Sequence, residues 1–241
     1  MKARWRYCIM VGVLGLAVAG CAKDQSTGIP LDSDGFVASS SYPRFPTNDL
    51  QDLATFSDHL VIADVVAEEQ LVPLEENLAS GEGYVGRRAT VSVRDILWSG
   101  VDTAGKPLAA PRGSLTFLVD GWVMHDGEMY PDRSLGSDRI EVGGTYLIPL
   151  VLREGAHEPV GVSQVVELTS EGAPLPRDED SDRPSFGSEK LLAGLAPSEA
   201  AALLATTPMH EGTSREMAVS DRLLVAYPPP TDEPVPAGEL G

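Results

Sequence analysis

The spacing of hydrophobic positions changes several times along the chain, and each change marks a predicted element. Leu50, Leu53 and Ala54, with Ser57 closing the turn, fall at i, i+3, i+4 and i+7, which predicts a short helix with Asn48 as its cap. Residues 59–67 then carry Leu60, Val61, Ile62, Ala63, Val65 and Val66, a β-rich apolar run too short for a helix. Alternation sets in over 89–98, where Val91 and Val93 share one face and Thr90, Ser92 and Arg94 the other. Its phase slips around Asp95-Ile96-Leu97-Trp98, which predicts a bulge or a bend. Residues 114–119, 145–152 and 160–168 read as three further strands, and Asp126-Gly127 predicts a small hairpin joining 122–125 to 128–130. Short strands at regular spacing predict a mainly β fold: a small five-stranded Greek-key, OB-like barrel with one or two short helices and disordered tails.

The polar stretches divide the chain. Residues 1–20 read as a signal peptide, 21–48 as a flexible tether rich in Ser, Gly and Pro, and 49–170 as the barrel domain. An acidic linker over 171–190 contains Asp178-Glu179-Asp180-Ser181-Asp182. Residues 191–227 are expected to pack on the barrel as a C-terminal helix, Pro197–Thr206, followed by a strand or extended segment over 219–227. Leu203 and Leu204 are the docking residues of that helix, and 228–241 is an acidic, Pro-rich tail. With 18 Lys+Arg against 36 Asp+Glu and a net charge of −18, nucleic acid is excluded as a partner, because phosphate binding requires clustered cations. Two cysteines exclude a disulfide scaffold and a four-cysteine zinc site.

The N-terminus carries the most specific pattern. Lys2, Arg4 and Arg6 precede an apolar run over 9–19, which is too short for a mature membrane helix of about 20 residues. The run ends in Val18-Ala19-Gly20-Cys21, which resembles the lipobox of bacterial lipoproteins at all four positions. The resemblance implies cleavage between Gly20 and Cys21, a diacylglyceryl group on the Cys21 thiol and acylation of the new amine. Two or three acyl chains, at about 0.8 kcal/mol per buried methylene, anchor a protein stably where one does not. Loss of residues 1–20 removes three basic groups and no acidic ones, taking the formal charge from −18 to −21. The predicted location is the extracytoplasmic face of the cell membrane, with the bilayer as first partner and an envelope protein as second.

A second, looser resemblance lies in the strands. The succession Asp52-Leu53, Ser57-Asp58-His59-Leu60-Val61-Ile62-Ala63-Asp64-Val65-Val66, Ala89-Thr90-Val91-Ser92-Val93-Arg94-Asp95-Ile96-Leu97-Trp98-Ser99-Gly100 and Val142-Gly143-Gly144-Thr145-Tyr146-Leu147-Ile148-Pro149-Leu150 resembles uncharacterised secreted bacterial barrels. These are distantly like the netrin-like barrels of tissue inhibitors of metalloproteinases. The resemblance spans 49–169 and implies a barrel only. The inhibitors use an N-terminal cysteine and several disulfides, so no inhibitory residue carries over.

Catalytic motifs are absent from the sequence: no Gly-x-Ser-x-Gly, no His-Glu-x-x-His, no Walker loop. Gly81-Glu82-Gly83-Tyr84-Val85-Gly86 matches a dinucleotide fingerprint in letters, but lacks the preceding strand and following helix and reads as a loop. Asp32-Ser33-Asp34-Gly35 opens like a calcium loop without its later acidic ligand and reads as a turn. Four histidines, at 59, 125, 157 and 210, would make a metal site only if the fold assembled them; no cofactor or metal is expected. Trp122, Met124, His125 and Tyr130 crowd the predicted hairpin and form the candidate contact patch, with capping of the barrel core by Trp122 and Met124 as the alternative role. The expected function is a non-enzymatic binding module of the cell envelope; the alternative is an envelope hydrolase using carboxylates or a fold-assembled metal site.

Overall fold

The computed structural model describes residues 31, 35–39, 45–134, 138–161, 165–175, 191–192 and 194–229. The signal peptide, Cys21, the acidic run over 178–182 and the tail from 230 lie outside the described residues. Among the described residues eight strands and four short helices are bounded, in the order β1 (Val37–Ser39), α1 (Leu50–Phe56), β2 (His59–Gln70), α2 (Glu75–Ser80), β3 (Gly83–Ser99), β4 (Ser114–His125), β5 (Glu128–Ser134), β6 (Thr145–Arg153), β7 (Ala156–Pro159), β8 (Val166–Leu168), α3 (Pro197–Thr206) and α4 (Val219–Ala226). Seven strands lie on one hydrogen-bonded path, β1-β5-β4-β3-β2-β6-β7, with β8 beside β6. The expected five-stranded count is therefore corrected. Every pair is antiparallel except β1 with β5. The sheet curls into a half-barrel: β7 returns towards the first half of β4 across a gap lined by Thr116, Phe117, Ala156 and Pro159, with no ladder between them.

Burial on two sides explains the unbroken apolar runs. Val61, Ala63 and Val65 of β2 and Tyr146, Ile148 and Leu150 of β6 pack with Ala89, Val91 and Phe117 in one core cluster. Leu60, Ile62 and Leu147, from the opposite faces of β2 and β6, pack with Leu53, Ala54, Leu192, Ala200 and Leu204 in a second. A strand covered on both faces has no polar side to alternate with. β2 keeps this character only as far as Val65; from Val66 to Gln70 it is an exposed arm. The expected bulge is present: pairing steps from Leu60↔Trp98 to Val61↔Ile96 and from Ile62↔Asp95 to Ala63↔Val93, leaving Leu97 and Arg94 as the extra residues.

Several boundaries move for local reasons. The cap of α1 is Asp49, whose Oδ1 accepts from the Asp52 N–H at 2.8 Å; Asn48 instead donates to Asp52 Oδ2. Gly83 to Gly86 belong to β3 rather than to a loop, because β3 continues to pair with β4 as far as Gly83↔Met124. Gly121 permits this: a Cβ there would collide with the Val85 carbonyl at the register shift between Val85 and Arg87. Of the expected strand over 160–168, only Val166–Leu168 is strand among the described residues, paired with β6, while an additional short strand, β7, precedes it and ends at Pro159. Residues 219–227 are not extended: α4 is a helix, with Val219, Arg222, Leu223 and Ala226 facing the core at helical spacing. Packing also begins before residue 49, because Val37–Ser39 pairs with β5 and the buried Phe45 stacks on Phe56 at 5.6 Å. α2 has no buried residue and hence no apolar stripe to betray it in the sequence.

Candidate functional site

The hairpin singled out by sequence forms as expected, with Asp126 and Gly127 both at positive φ in the turn between β4 and β5. Its side chains do not converge. Strand alternation sends Trp122 and Met124 to one face and His125 to the other, and Tyr130 follows its cross-strand partner Val123. The guanidinium groups of Arg87 and Arg139 both lie over the Trp122 ring, at 5.7 and 5.3 Å from its centre. Arg87 is 1% exposed and donates to the carbonyls of Asp120 and Ile140 and to Glu68 at 2.6 Å. Arg139 donates to the carbonyls of Asp120, Gly121 and Asp132 and to Glu141 at 2.5 Å. Met124 is buried. Trp122 and Met124 thus brace the sheet, while His125 and Tyr130 lie on its opposite face, both half-buried.

His125 sits between two carboxylates: Glu82 at 2.9 Å from Nδ1 and Asp126 at 3.7 Å from Nε2. These three form the only group among the described residues with metal-ligand spacing, their ligand atoms within 4.8 Å of one another. Hydrogen bonds from His125 and the Asp126 N–H hold the Glu82 carboxyl below its usual pKa. Both imidazole nitrogens already face carboxylates, and the Gly127 N–H donates to the Gly81 carbonyl at 3.0 Å beside them. The group pins two turns together. Tyr130 donates to Glu128 at 2.8 Å.

A different constellation gathers at the C-terminal end of α1. The last carbonyls of a helix lack intrahelical donors and carry partial negative charge, and α1 has no basic residue in its last turn. Arg215 and Arg222 supply those donors from far along the chain. Arg215 donates to the carbonyls of Ser57 and Ala54, and Arg222 to those of Thr55, Met217 and Arg215. Both reach Asp58 Oδ1, at 3.3 and 2.9 Å, while Asp58 Oδ2 accepts from the Leu152 N–H at 2.8 Å. All three side chains are buried. Burial, opposed by Asp58 and reinforced by repulsion from Arg222, brings the Arg215 pKa down to about 10, so it remains a cation at neutral pH. Gly100 is required beside it, since a Cβ there would collide with the Arg215 side chain.

Next to Asp58 lies His59, whose Nδ1 is 2.9 Å from Ser99 Oγ and whose ring is 5.2 Å from that of His157. Burial, followed by the neighbouring His157, pushes the His59 pKa down to about 4. Burial lowers the pKa of His157 as well, and its Nε2 is buried with no hydrogen-bond partner. A second knot ties the same segment down: Asp52 Oδ1 takes His210 Nε2 at 2.8 Å and the Tyr227 hydroxyl at 2.5 Å. Burial pushes the Asp52 pKa up, but the hydrogen bonds from Tyr227, His210 and Asn48 together outweigh it and hold the carboxyl below its usual value.

A cavity of about 960 Å³ opens beside this cluster, within the range of about 300–1,000 Å³ typical of small-molecule sites. Its walls include Phe45, Leu108, Leu152, Met217 and Leu223; Asp58, His59, Arg215 and Arg222 are the buried part of its polar lining, and Arg153, Glu154, Glu216 and Ser220 the more exposed part. Of these residues the sequence marks only His59 as a candidate for chemistry, among the four scattered histidines. No local pattern marks the two arginines: Arg215 lies outside α4, and Arg222 puts a charge on the face that Val219, Leu223 and Ala226 bury. Fold and site together define a mainly β protein with a curled antiparallel sheet and a ligand-sized cavity closed by a C-terminal helix. Compared with protein-family models, curated proteins and solved structures, the chain finds no match in any of the three.

Proposed function

We propose that the protein is a bacterial lipoprotein, held on the extracytoplasmic face of the cell membrane by an acylated Cys21, and that its β domain is a non-enzymatic binding module. The observation that carries the anchor is Val18-Ala19-Gly20-Cys21 at the end of a short apolar run with a basic start. The observation that supports binding is the cavity, which combines apolar walls with a few convergent buried polar groups. His59 fits a binding wall better than a catalytic one. Its Nδ1 is engaged by Ser99, and a pKa of about 4 is poorly matched to general-base work near neutrality. The hairpin bearing His125 and Tyr130 remains the candidate contact surface for an envelope protein, since both side chains point away from the braced Trp122 face.

Metabolic labelling with a palmitate analogue, combined with membrane fractionation, tests the anchor. Wild-type protein is expected to carry label and to sediment with membranes; Cys21→Ala is expected to lose both. Retention of Cys21→Ala in the membrane fraction, without label in either protein, would overturn the proposal.

A further inference from the structure

The floor and the walls of the cavity differ in electrical character, and that difference points to a class of ligand. The inference rests on the reading of the β domain as a binding module. The walls offer apolar surface: Leu152 is 48% exposed and lines the cavity, whereas its neighbours Leu150 and Val151 are fully buried. Met217, Leu108 and Leu223, all half-buried, add to that surface.

The floor carries two guanidinium groups and one carboxylate, all buried. His59 contributes no charge at neutral pH, because burial holds its pKa near 4. The C-terminal carbonyls of α1 return about half a negative charge, which leaves the floor positive overall. This positive floor sits in a chain whose net charge is −18. Among the exposed lining residues Glu154 pairs with Arg153 at 3.5 Å, while Glu216 accepts from the Thr103 N–H at 2.5 Å and keeps its negative charge. An anion entering the cavity therefore passes an exposed lining of net charge −1, Arg153 against Glu154 and Glu216, and meets excess positive charge at the buried base. Guanidinium groups favour carboxylates geometrically, and their attraction weakens little where water is excluded.

We propose that the cavity binds an amphipathic small molecule with one carboxylate, its apolar body against Leu108, Leu152, Met217 and Leu223 and its carboxylate directed at the Arg215–Arg222 floor. Fluorescence titration of the full-length protein in detergent with dansyl-undecanoate, and with its methyl ester, tests this. The carboxylate is expected to bind at one site per chain, and the ester at least about tenfold more weakly, the scale of one charge-assisted hydrogen bond. Leu152→Trp fills the cavity from an exposed wall and is expected to abolish binding with the melting temperature retained. Ser220→Glu places a negative charge on the lining without touching the floor, and is expected to weaken the carboxylate several-fold while sparing the ester. Equal binding of acid and ester would overturn the proposed ligand class and leave the binding module standing. No saturable binding of either, or binding indifferent to Leu152→Trp, would overturn the cavity as a ligand site altogether, while the lipid anchor is judged separately by its own labelling.

Discussion

At the scale of single residues, the chain spends its arginines on interior work. Arg87 and Arg139 both lie over the Trp122 ring, and Arg215 and Arg222 clamp Asp58; all four are buried. Removing one partner from a buried ionic cluster leaves uncompensated charge and costs about 3–5 kcal/mol, whereas an exposed pair contributes under about 1 kcal/mol. Asp58→Asn is therefore expected to lower stability in urea by an amount of that larger order. Glu69→Gln, which breaks the exposed pair with Arg88 at 3.8 Å, is expected to change it little. Equal losses would contradict the interior role of Asp58. Histidine sets the pH response. His59 has a folded pKa of about 4 against its usual 6.5, so the unfolded chain binds the proton first as pH falls. Its contribution is fully present above pH 6.5 and is lost as pH falls towards 4, with His157 acting in the same direction. Urea midpoints should fall across that window, and His59→Gln should flatten the slope; a slope unchanged by the substitution would contradict the assignment.

At the scale of elements, the strands were legible where burial imposes a pattern, and the helices where a cap or a period does. β2 and β6 read clearly because both faces are covered, and Leu60 makes the consequence measurable. Leu60→Ala leaves a void in the cluster shared with α1 and α3 and is expected to cost about 2–5 kcal/mol. Leu118→Ala, at an exposed position of β4, is expected to cost well under that, and denaturation of the two variants compares them directly. α3 was legible from Pro197 at its first turn and from Leu203 and Leu204; the structure adds Glu199, whose carboxylate reaches back to the Ala196 N–H at 2.8 Å. α4 was not legible. Its buried face includes Arg222, which reads as polar until its partner Asp58 is seen 164 positions away. The start of β3 was hidden for a related reason: glycines that look like a loop are strand glycines when another backbone crosses close by, and that contact is non-local. Trp122 shows the same limit at the candidate site. Its crowding with Met124 and His125 was visible, but whether it faces a partner or two guanidinium groups depends on Arg87 and Arg139 elsewhere in the chain.

At the scale of the whole molecule, the chain closes on itself at the end of α1. His210, Arg215, Arg222 and Tyr227 all fasten the C-terminal segment to that helix or to the residues flanking it, and the same segment walls the cavity. A binding site built across such distant segments cannot be seen as a motif. The proposed anchor is the opposite case, because Val18-Ala19-Gly20-Cys21 is a short linear pattern that can be read without the fold. On this account the molecule is a lipid-held β domain in which the acidic excess maintains solubility and the positive floor of the cavity is a local exception. The most direct test is the intact mass of the mature protein extracted from native membranes, with fragmentation of its N-terminal peptide. The account predicts a chain beginning at Cys21 that carries the added mass of a diacylglyceryl group. A mature chain with unmodified Cys21, or one retaining residues 1–20, would contradict it.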